Sequence, residues 1–310
     1  MVFNSSEFLI FFPSVVLLFF LIPKRFQWVW LLAGSYYFYM SWNPAYVILL
    51  LISTVLTWGC GWIIEHSKEK IWICKMAVGF CFSVHLLMLG VFKYQNFILD
   101  SIQNLFSMLG VEVCFDNRMD VLLPVGISFY TFQALGYTID VYRGKVKAEK
   151  NLLRYALFVS FFPQLVAGPI ERSGNLIAQL NHVEDIRLWN YERITGGAVL
   201  MLWGLFQKMV IADRAALFVD TVYNGYWRYG SIELILATVL FAVQIYCDFA
   251  SYSLIAVGAA RVMGIRLMEN FDTPYFARSV KEFWRRWHVS LSSWFRDYLY
   301  IPLGGSRCSK

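Results

Sequence analysis

Charge is what this chain of 310 residues has least of: Asp, Glu, Lys and Arg make up 15% of it, where a soluble domain carries about a quarter. Apolar residues take their place at 58%, and Phe, Trp and Tyr alone reach 18%. These residues come in long runs, so the composition excludes an ordinary soluble enzyme and points to an integral membrane protein. The net charge of +6 is spread over the segments between runs. That suits anionic lipid headgroups and basic loops on one side of a membrane. It is no nucleic-acid footprint, and no nucleic-acid motif accompanies it. None of the six cysteines forms a C-x-x-C pair or has a histidine at zinc-ligand spacing, so neither a metal site nor a redox role is expected. Glycine-rich dinucleotide and phosphate loops are missing, as are internal repeats. Before Lys24 the one charge is Glu7, so there is no basic region of a cleaved signal. The first apolar run is expected to stay as a membrane segment. One membrane-embedded domain over residues 1–310 is the expected organisation.

What is present is a succession of apolar segments. Residues 8–22, 28–42, 45–64 and 71–92 read as spans or partial spans, the first short for a bilayer. The basic loops at Lys24 and Arg25 and at Lys68 and Lys70 are two spans apart. Both are expected to be cytoplasmic, with the N-terminus outside. Residues 96–117 read as an amphipathic segment on the outer face. Residues 122–140 return through the membrane carrying Pro124, Gly126, Ser128 and Gln133. Such a segment either lines a cavity or is a kinked helix packed by small residues. Residues 152–170 are broken at Pro163 and Pro169, which favours a re-entrant hairpin. Residues 171–192 are polar, with His182 solvated. Residues 194–212 form a span with Gly196, Gly197 and Gly204 at close helix contacts. Residues 215–229 look interfacial, and 232–255 form a long span interrupted at 246–251. An unpaired carboxylate at Asp248 costs roughly 2.5–3.5 kcal/mol at mid-membrane. It is expected either to line a substrate path or to form a structural ion pair with Arg285, Arg286 or Arg296. His85 reads as a hydrogen-bonded helix-packing residue.

The most informative stretch is residues 281–298. On one helix, Trp284, Trp287, His288, Leu291, Trp294 and Phe295 share a face. An amphipathic helix at the membrane surface accounts for most of them. It does not account for the histidine, whose neutral ring is a usable proton acceptor, although histidine also serves as an ordinary core residue.

Residues 283–293 (FWRRWHVSLSS) and 294–305 (WFRDYLYIPLGG) resemble the signature of the membrane-bound O-acyltransferase family, in its alginate O-acetyltransferase-like branch. The teichoic acid D-alanyl transfer proteins are a cousin. Residues 123–133 (LPVGISFYTFQ) and 161–170 (FFPQLVAGPI) are similar to the same branch. The resemblance implies an all-α polytopic bundle with broken or re-entrant helices around a central tunnel. It implies transfer of an acyl group from a cytoplasmic acyl-coenzyme A or acyl-carrier thioester, acetyl-coenzyme A being the expected donor, with no bound cofactor. The acceptor would be a hydroxyl of an extracytoplasmic polysaccharide, with a separate partner protein often finishing the transfer. The site would be the bacterial cytoplasmic membrane. His288 is then a base or a supporting residue. Asp248, Gln164, Trp284, Arg285, Arg286, Trp287, Ser290, Trp294, Arg296 and Asp297 are candidates to line the substrate path, the arginines holding donor phosphates at the cytoplasmic mouth. Family members continue into an apolar helix with a Leu-Trp-His-Gly-like motif, whose histidine is taken as the base. This chain ends at Lys310, so it is expected to be C-terminally truncated relative to the family and inactive by itself. The competing readings are a small-anion transporter, disfavoured by the lack of internal symmetry, and a non-catalytic membrane scaffold.

Overall fold

A computed structural model describes residues 1–110, 124–166 and 168–307. Cys114, Leu122, Leu123, Ala167 and Cys308, together with most of the tail of the 96–117 segment, lie outside the described residues. Helices and turns account for the regular structure there, without a strand. The α-helices are α1 (Ser6–Leu21), α2 (Gln27–Met40), α3 (Val47–His66), α4 (Ile71–Phe92), α5 (Gln95–Met108), α6 (Ile127–Tyr142), α7 (Leu152–Ser160), α8 (Phe162–Leu165), α9 (Ser173–Leu180), α10 (Tyr191–Phe206), α11 (Asp213–Asn224), α12 (Ser231–Val262), α13 (Val280–Arg286) and α14 (Val289–Phe295). Among the described residues, four helical stretches are long and apolar enough to cross a bilayer: Pro44–His66, Ile71–Phe92, Tyr191–Asn224 and Ser231–Val262. The chain is an all-α, multi-pass membrane protein.

The spans alternate in direction, which gathers their connections at two ends. At one end, Ala148 N–H donates to the Glu65 carboxylate (3.2 Å), Arg154 to Asn181 Oδ1 (3.0 Å) and Gln179 to the Arg266 carbonyl (2.9 Å). The Lys24–Phe26 turn packs on the Val183–Asp185 turn at the same end. This end therefore collects both basic loops read from the sequence, along with Arg143, Lys145, Lys147, Arg187 and Arg193. The opposite end carries Lys93 and Arg228.

Two expectations are corrected. Residues 215–229 are not a separate interfacial piece, since α10 passes through a π-helical turn at Gln207–Ala212 into α11 as one stretch of 34 residues. Nor is the second long span interrupted at 246–251. That segment holds neither proline nor glycine, and the Ser251 hydroxyl donates back to the Asp248 carbonyl (2.7 Å) within an intact helix.

The re-entrant hairpin at 152–170 is present. It starts at the basic end with Asn151 capping α7, and breaks at Phe161 before α8. The break leaves backbone groups that lipid cannot satisfy. Gln133 and Gln164 both donate to the Phe158 carbonyl (2.7 and 2.9 Å), and Ser35 Oγ accepts from Phe162 N–H (3.2 Å). The tip rests against Gly126, whose φ of +74° and missing side chain are both needed: a Cβ there would stand 2.2 Å from the Leu165 carbonyl oxygen. The proline- and glycine-bearing entry to α6 thus serves as a seat for the hairpin. His85 is buried and bonded to Ser53 Oγ and the Cys81 carbonyl (2.8 Å each), a packing residue between α3 and α4.

Helices α10 and α12 meet through glycines. A Cβ on Gly258 would lie 2.6 Å from the Gly197 carbonyl oxygen and 2.9 Å from Met201 N, whereas one on Gly79 would meet nothing within 4 Å. Overpacking of this kind costs about 1–3 kcal/mol. Gly258→Ala is therefore expected to lower the melting temperature of the detergent-solubilised protein. Gly79→Ala should leave it level or raise it, because alanine favours helix by about 0.5–1 kcal/mol.

Candidate active site

After α12 the chain turns at Gly264 (φ +89°) and runs back along the helix it has just left. Glu171 holds this returning strand by accepting from Met268 N–H and from Asn175 Nδ2 (2.8 Å). Burial raises its carboxyl above the usual carboxylate range. The strand climbs until the Tyr275 hydroxyl donates to the Ala242 carbonyl (2.6 Å). At 1.5 Å per residue, Ala242 lies about 30 Å from the α12 terminus at Val262. The chain then descends through α13 and α14. At the basic end Arg172 pairs with Asp297 (2.8 Å) and Tyr298 donates to Asp140 (2.8 Å). Residues 264–300 are a second re-entrant hairpin.

Residues 281–298 are therefore not one continuous helix, which corrects the single-face reading. The helix stops at Arg286 and restarts at Val289. Between them His288 sits in the left-handed region (φ +43°), a conformation of order 1–3 kcal/mol for a residue other than glycine. Asn270, on the ascending strand, compensates. Its carbonyl accepts from Val289 N–H (2.9 Å), and its Oδ1 accepts from Ser290 N–H (3.2 Å) and Ser290 Oγ (2.8 Å). The first two N–H groups of α14, orphans of any helix start, are thus capped from across the hairpin.

The same oxygen fixes the histidine. His288 Nδ1 lies 3.0 Å from Asn270 Oδ1. The Ser290 backbone N–H can only donate, so the facing Asn270 atom is the oxygen, and an amide oxygen can only accept. Nδ1 must therefore carry the proton, and Nε2 holds the lone pair, with no protein partner among the described residues. The ring is buried (8% exposed) among Phe249 (4.7 Å between centroids, edge-on), Phe271 (6.3 Å) and Phe129 (6.4 Å). Phe249 lies about 20 Å from the end of α12, so the imidazole is deep in the bundle. None of these three neighbours carries a charge that could stabilise a protonated ring.

The other candidates scatter. Ser290 is buried beside His288, and Trp287 packs on Phe271 (5.1 Å) and Phe283 (5.5 Å). Trp284 is exposed. Trp294 is buried against α6, donating to the Phe132 carbonyl (2.9 Å). Gln164 Nε2 is bonded at the first hairpin, while its buried Oε1 has no partner among the described residues. Arg286 pairs with Glu282 (2.7 Å) and bonds Thr273 (3.2 Å), level with Tyr246, about 24 Å from Val262. Arg285 is exposed on the same short helix. Neither is at the basic mouth. Arg296 is at that end but pairs with its neighbour Asp297 (2.8 Å). Asp248 does not use Arg285, Arg286 or Arg296: its cation is Lys208, 2.5 Å away, which also bonds Asp213 (3.0 Å). Asn270 was the residue sequence reasoning missed. The one sign of it was an uncharged amide in the run 268–271 just after a membrane helix.

The geometry is that of a deep histidine held by an amide at the break of a helix in a multi-pass membrane bundle. The comparisons give this bundle a family. Residues 145–310, just over half of the chain, match the sequence profile of MBOAT, the membrane-bound O-acyltransferase family. The whole chain is 39% identical to a protein of Pseudomonas aeruginosa named "Probable alginate O-acetylase". Over 93% of its length it is 34% identical to a peptidoglycan O-acetyltransferase of Helicobacter pylori, and over 57% it is 31% identical to a teichoic acid D-alanyltransferase of Bacillus subtilis. The chain spans 58%, 57% and 45% of those relatives' own lengths. The chain belongs to the membrane-bound O-acyltransferase family.

Proposed function

We propose that this chain forms the histidine-bearing part of an O-acyltransferase that moves an acyl group, acetyl in the first instance, from a cytoplasmic thioester to a hydroxyl of an extracytoplasmic polysaccharide. The observation that carries the reading is the His288–Asn270 pair: a neutral imidazole with its tautomer set and Nε2 open, about 20 Å along a membrane helix. Family membership supplies the reaction class. The named activities of the relatives, O-acetylation of alginate and of peptidoglycan and D-alanylation of teichoic acid, support a polymer acceptor outside the cell.

In this reading the protein lies in the bacterial cytoplasmic membrane with its basic end inward, as the positive-inside rule requires. A thioester donor, charged at its far end, approaches from the basic end. The acceptor hydroxyl approaches from the other side and gives its proton to His288 Nε2. Its oxygen attacks the thioester carbonyl, the carbon–sulfur bond breaks, and the leaving thiolate takes the proton from the imidazolium. General-base assistance of this kind is worth about 10²–10⁴ in rate. A separate extracytoplasmic protein that passes the acyl group on to the polysaccharide belongs to the same reading. A carrier or channel finds little support, because Asp248, the charge it would rest on, is held by Lys208.

Membranes bearing the protein as its gene encodes it are expected to pass label from acetyl-coenzyme A to an outside glycan. His288→Ala should lower that transfer at least tenfold, the low end of general-base effects. Near-normal transfer by the variant would remove His288 from the site.

A further inference from the structure

The tip of the second re-entrant hairpin carries cations that neither the fold nor the proton chemistry at His288 uses. Tyr275, at the top of the ascending strand, is anchored to the Ala242 carbonyl (2.6 Å), about 30 Å from the basic end of α12. A hydrocarbon layer is about 30 Å thick, so the tip stands at its far boundary, away from the basic loops. α13 starts there, and its entry is fixed by a reciprocal cap. The Ser279 hydroxyl accepts from Glu282 N–H (3.2 Å), and the Glu282 carboxylate accepts from Arg278 N–H (2.8 Å). From this tip α13 descends to His288, which packs on Phe249, about 10 Å nearer the basic end than Ala242.

Of the cations on this short stretch, Arg286 is spent on Glu282 (2.7 Å) and Thr273 (3.2 Å). Arg278, Lys281 and Arg285 are exposed. Among the described residues their side chains form no ion pair and no hydrogen bond. Lys281 and Arg285 are one turn apart on α13, with Cβ atoms about 5–6 Å from each other. Trp284, 55% exposed, shares their side of the helix, and Arg278 extends the row from the turn before it. The positive-inside rule gathers cations at the other end of the molecule. Three uncompensated charges at the outer boundary, close above the histidine, therefore do not serve the topology.

We propose that Arg278, Lys281 and Arg285, with Trp284, form a subsite for a polyuronate, a saccharide chain whose rings each carry a carboxylate. The inference rests on the polysaccharide acceptor of the function proposed above and names its chemical class. Guanidinium and ammonium groups one helical turn apart meet carboxylates that recur once per sugar. The face of an exposed indole is electron-rich and takes the C–H-bearing face of a sugar ring between them. A neutral glycan would leave the cations unmatched, and an anionic chain without rings would leave the indole bare. The subsite sets specificity above the histidine and takes no part in proton transfer.

Calorimetric titration of the protein as its gene encodes it, in a neutral detergent, tests the subsite without turnover. The probes are an oligomannuronate, a neutral glucan oligomer of equal length and linear polyphosphate. The oligomannuronate should bind at least tenfold more tightly than the glucan; equal binding, or none, overturns the proposal. Arg278→Gln, Lys281→Gln and Arg285→Gln should each weaken it about two- to fivefold, as exposed charge pairs do, and together at least tenfold. Gln in place of Lys145, Lys147 and Lys150 at the basic end should change it less than twofold, and the reverse pattern overturns the assignment. Lys281→Arg with Arg285→Lys should keep the affinity; a loss as large as with Gln would trace the effect to lost structure and overturn the subsite. Trp284→Ala should weaken the oligomannuronate about threefold and leave polyphosphate unchanged, whereas equal effects on both overturn the saccharide reading. Native mass spectrometry with phosphatidylglycerol supplies the lipid arm. Equal lipid retention by the wild type and the triple Gln variant supports the subsite, and retention lost in the variant assigns the row to headgroups instead. If the oligomannuronate binds through the row but labelled acetyl never reaches a glycan, the subsite stands and the proposed function falls. Transfer without such binding leaves the function and overturns the subsite.

Discussion

The structure turns on one amide oxygen. Asn270 Oδ1 accepts from Ser290 N–H, from Ser290 Oγ and from His288 Nδ1, and the carbonyl of the same residue accepts from Val289 N–H. A helix that restarts inside a membrane protein must find partners for its first N–H groups, and hydrocarbon has none to offer. The left-handed turn at His288 would be too costly without them. Its bonds close the descending half of the hairpin against the ascending half. Orientation of the imidazole follows from the same contacts, so the fold of the hairpin and the state of the histidine are not separable.

The first hairpin answers the same constraint by different means. There the broken helix leaves the Phe158 carbonyl and the Phe162 N–H, and side chains from three directions fill them: Gln133 from α6, Gln164 from the hairpin tip and Ser35 from α2. Gln164 and Gln133 look alike in sequence to residues of a substrate path. In the fold both donate to backbone, and Gln164 Oε1 is left without a partner among the described residues. Asp248 behaves similarly, since a carboxylate in an apolar helix is tolerable here because the mostly buried Lys208 stands against it and Asp248 itself is half-exposed.

These cases show how far the sequence could be read. The all-α membrane class, α4 to the residue, the first re-entrant hairpin and the packing role of His85 all followed from apolar run lengths, proline positions and composition, which are local properties. The three blocks that resemble the family pointed to pieces that do meet in space: Gly126 seats the 161–165 tip, and Trp294 bonds the α6 backbone at Phe132. The break at Trp287–His288 was not legible, because no proline or glycine marks it and its cause lies 18 residues upstream on another strand. For the same reason Asn270 passed unnoticed. Which arginines face the basic mouth was also beyond reach, since that depends on how deep the second hairpin climbs before it turns.

The choice of an amide over a carboxylate beside the histidine has a chemical consequence. In a site of low polarity a carboxylate against Nδ1 would favour the charged ring and raise its pKa. The imidazole would then be protonated before any acceptor arrived, with no lone pair to offer. Asparagine fixes the tautomer with the same geometry but without the charge. Phe129, Phe249 and Phe271, which surround the ring, add no charge either. Several carboxylates of this region are turned elsewhere: Asp248 to Lys208, Asp272 to the exposed side chain of Thr273, Glu282 to Arg286 and Asp297 to Arg172. An imidazolium formed at Nε2 during transfer would therefore meet an oriented amide dipole and no counter-ion. It would give its proton back readily, which the proposed protonation of a leaving thiolate calls for.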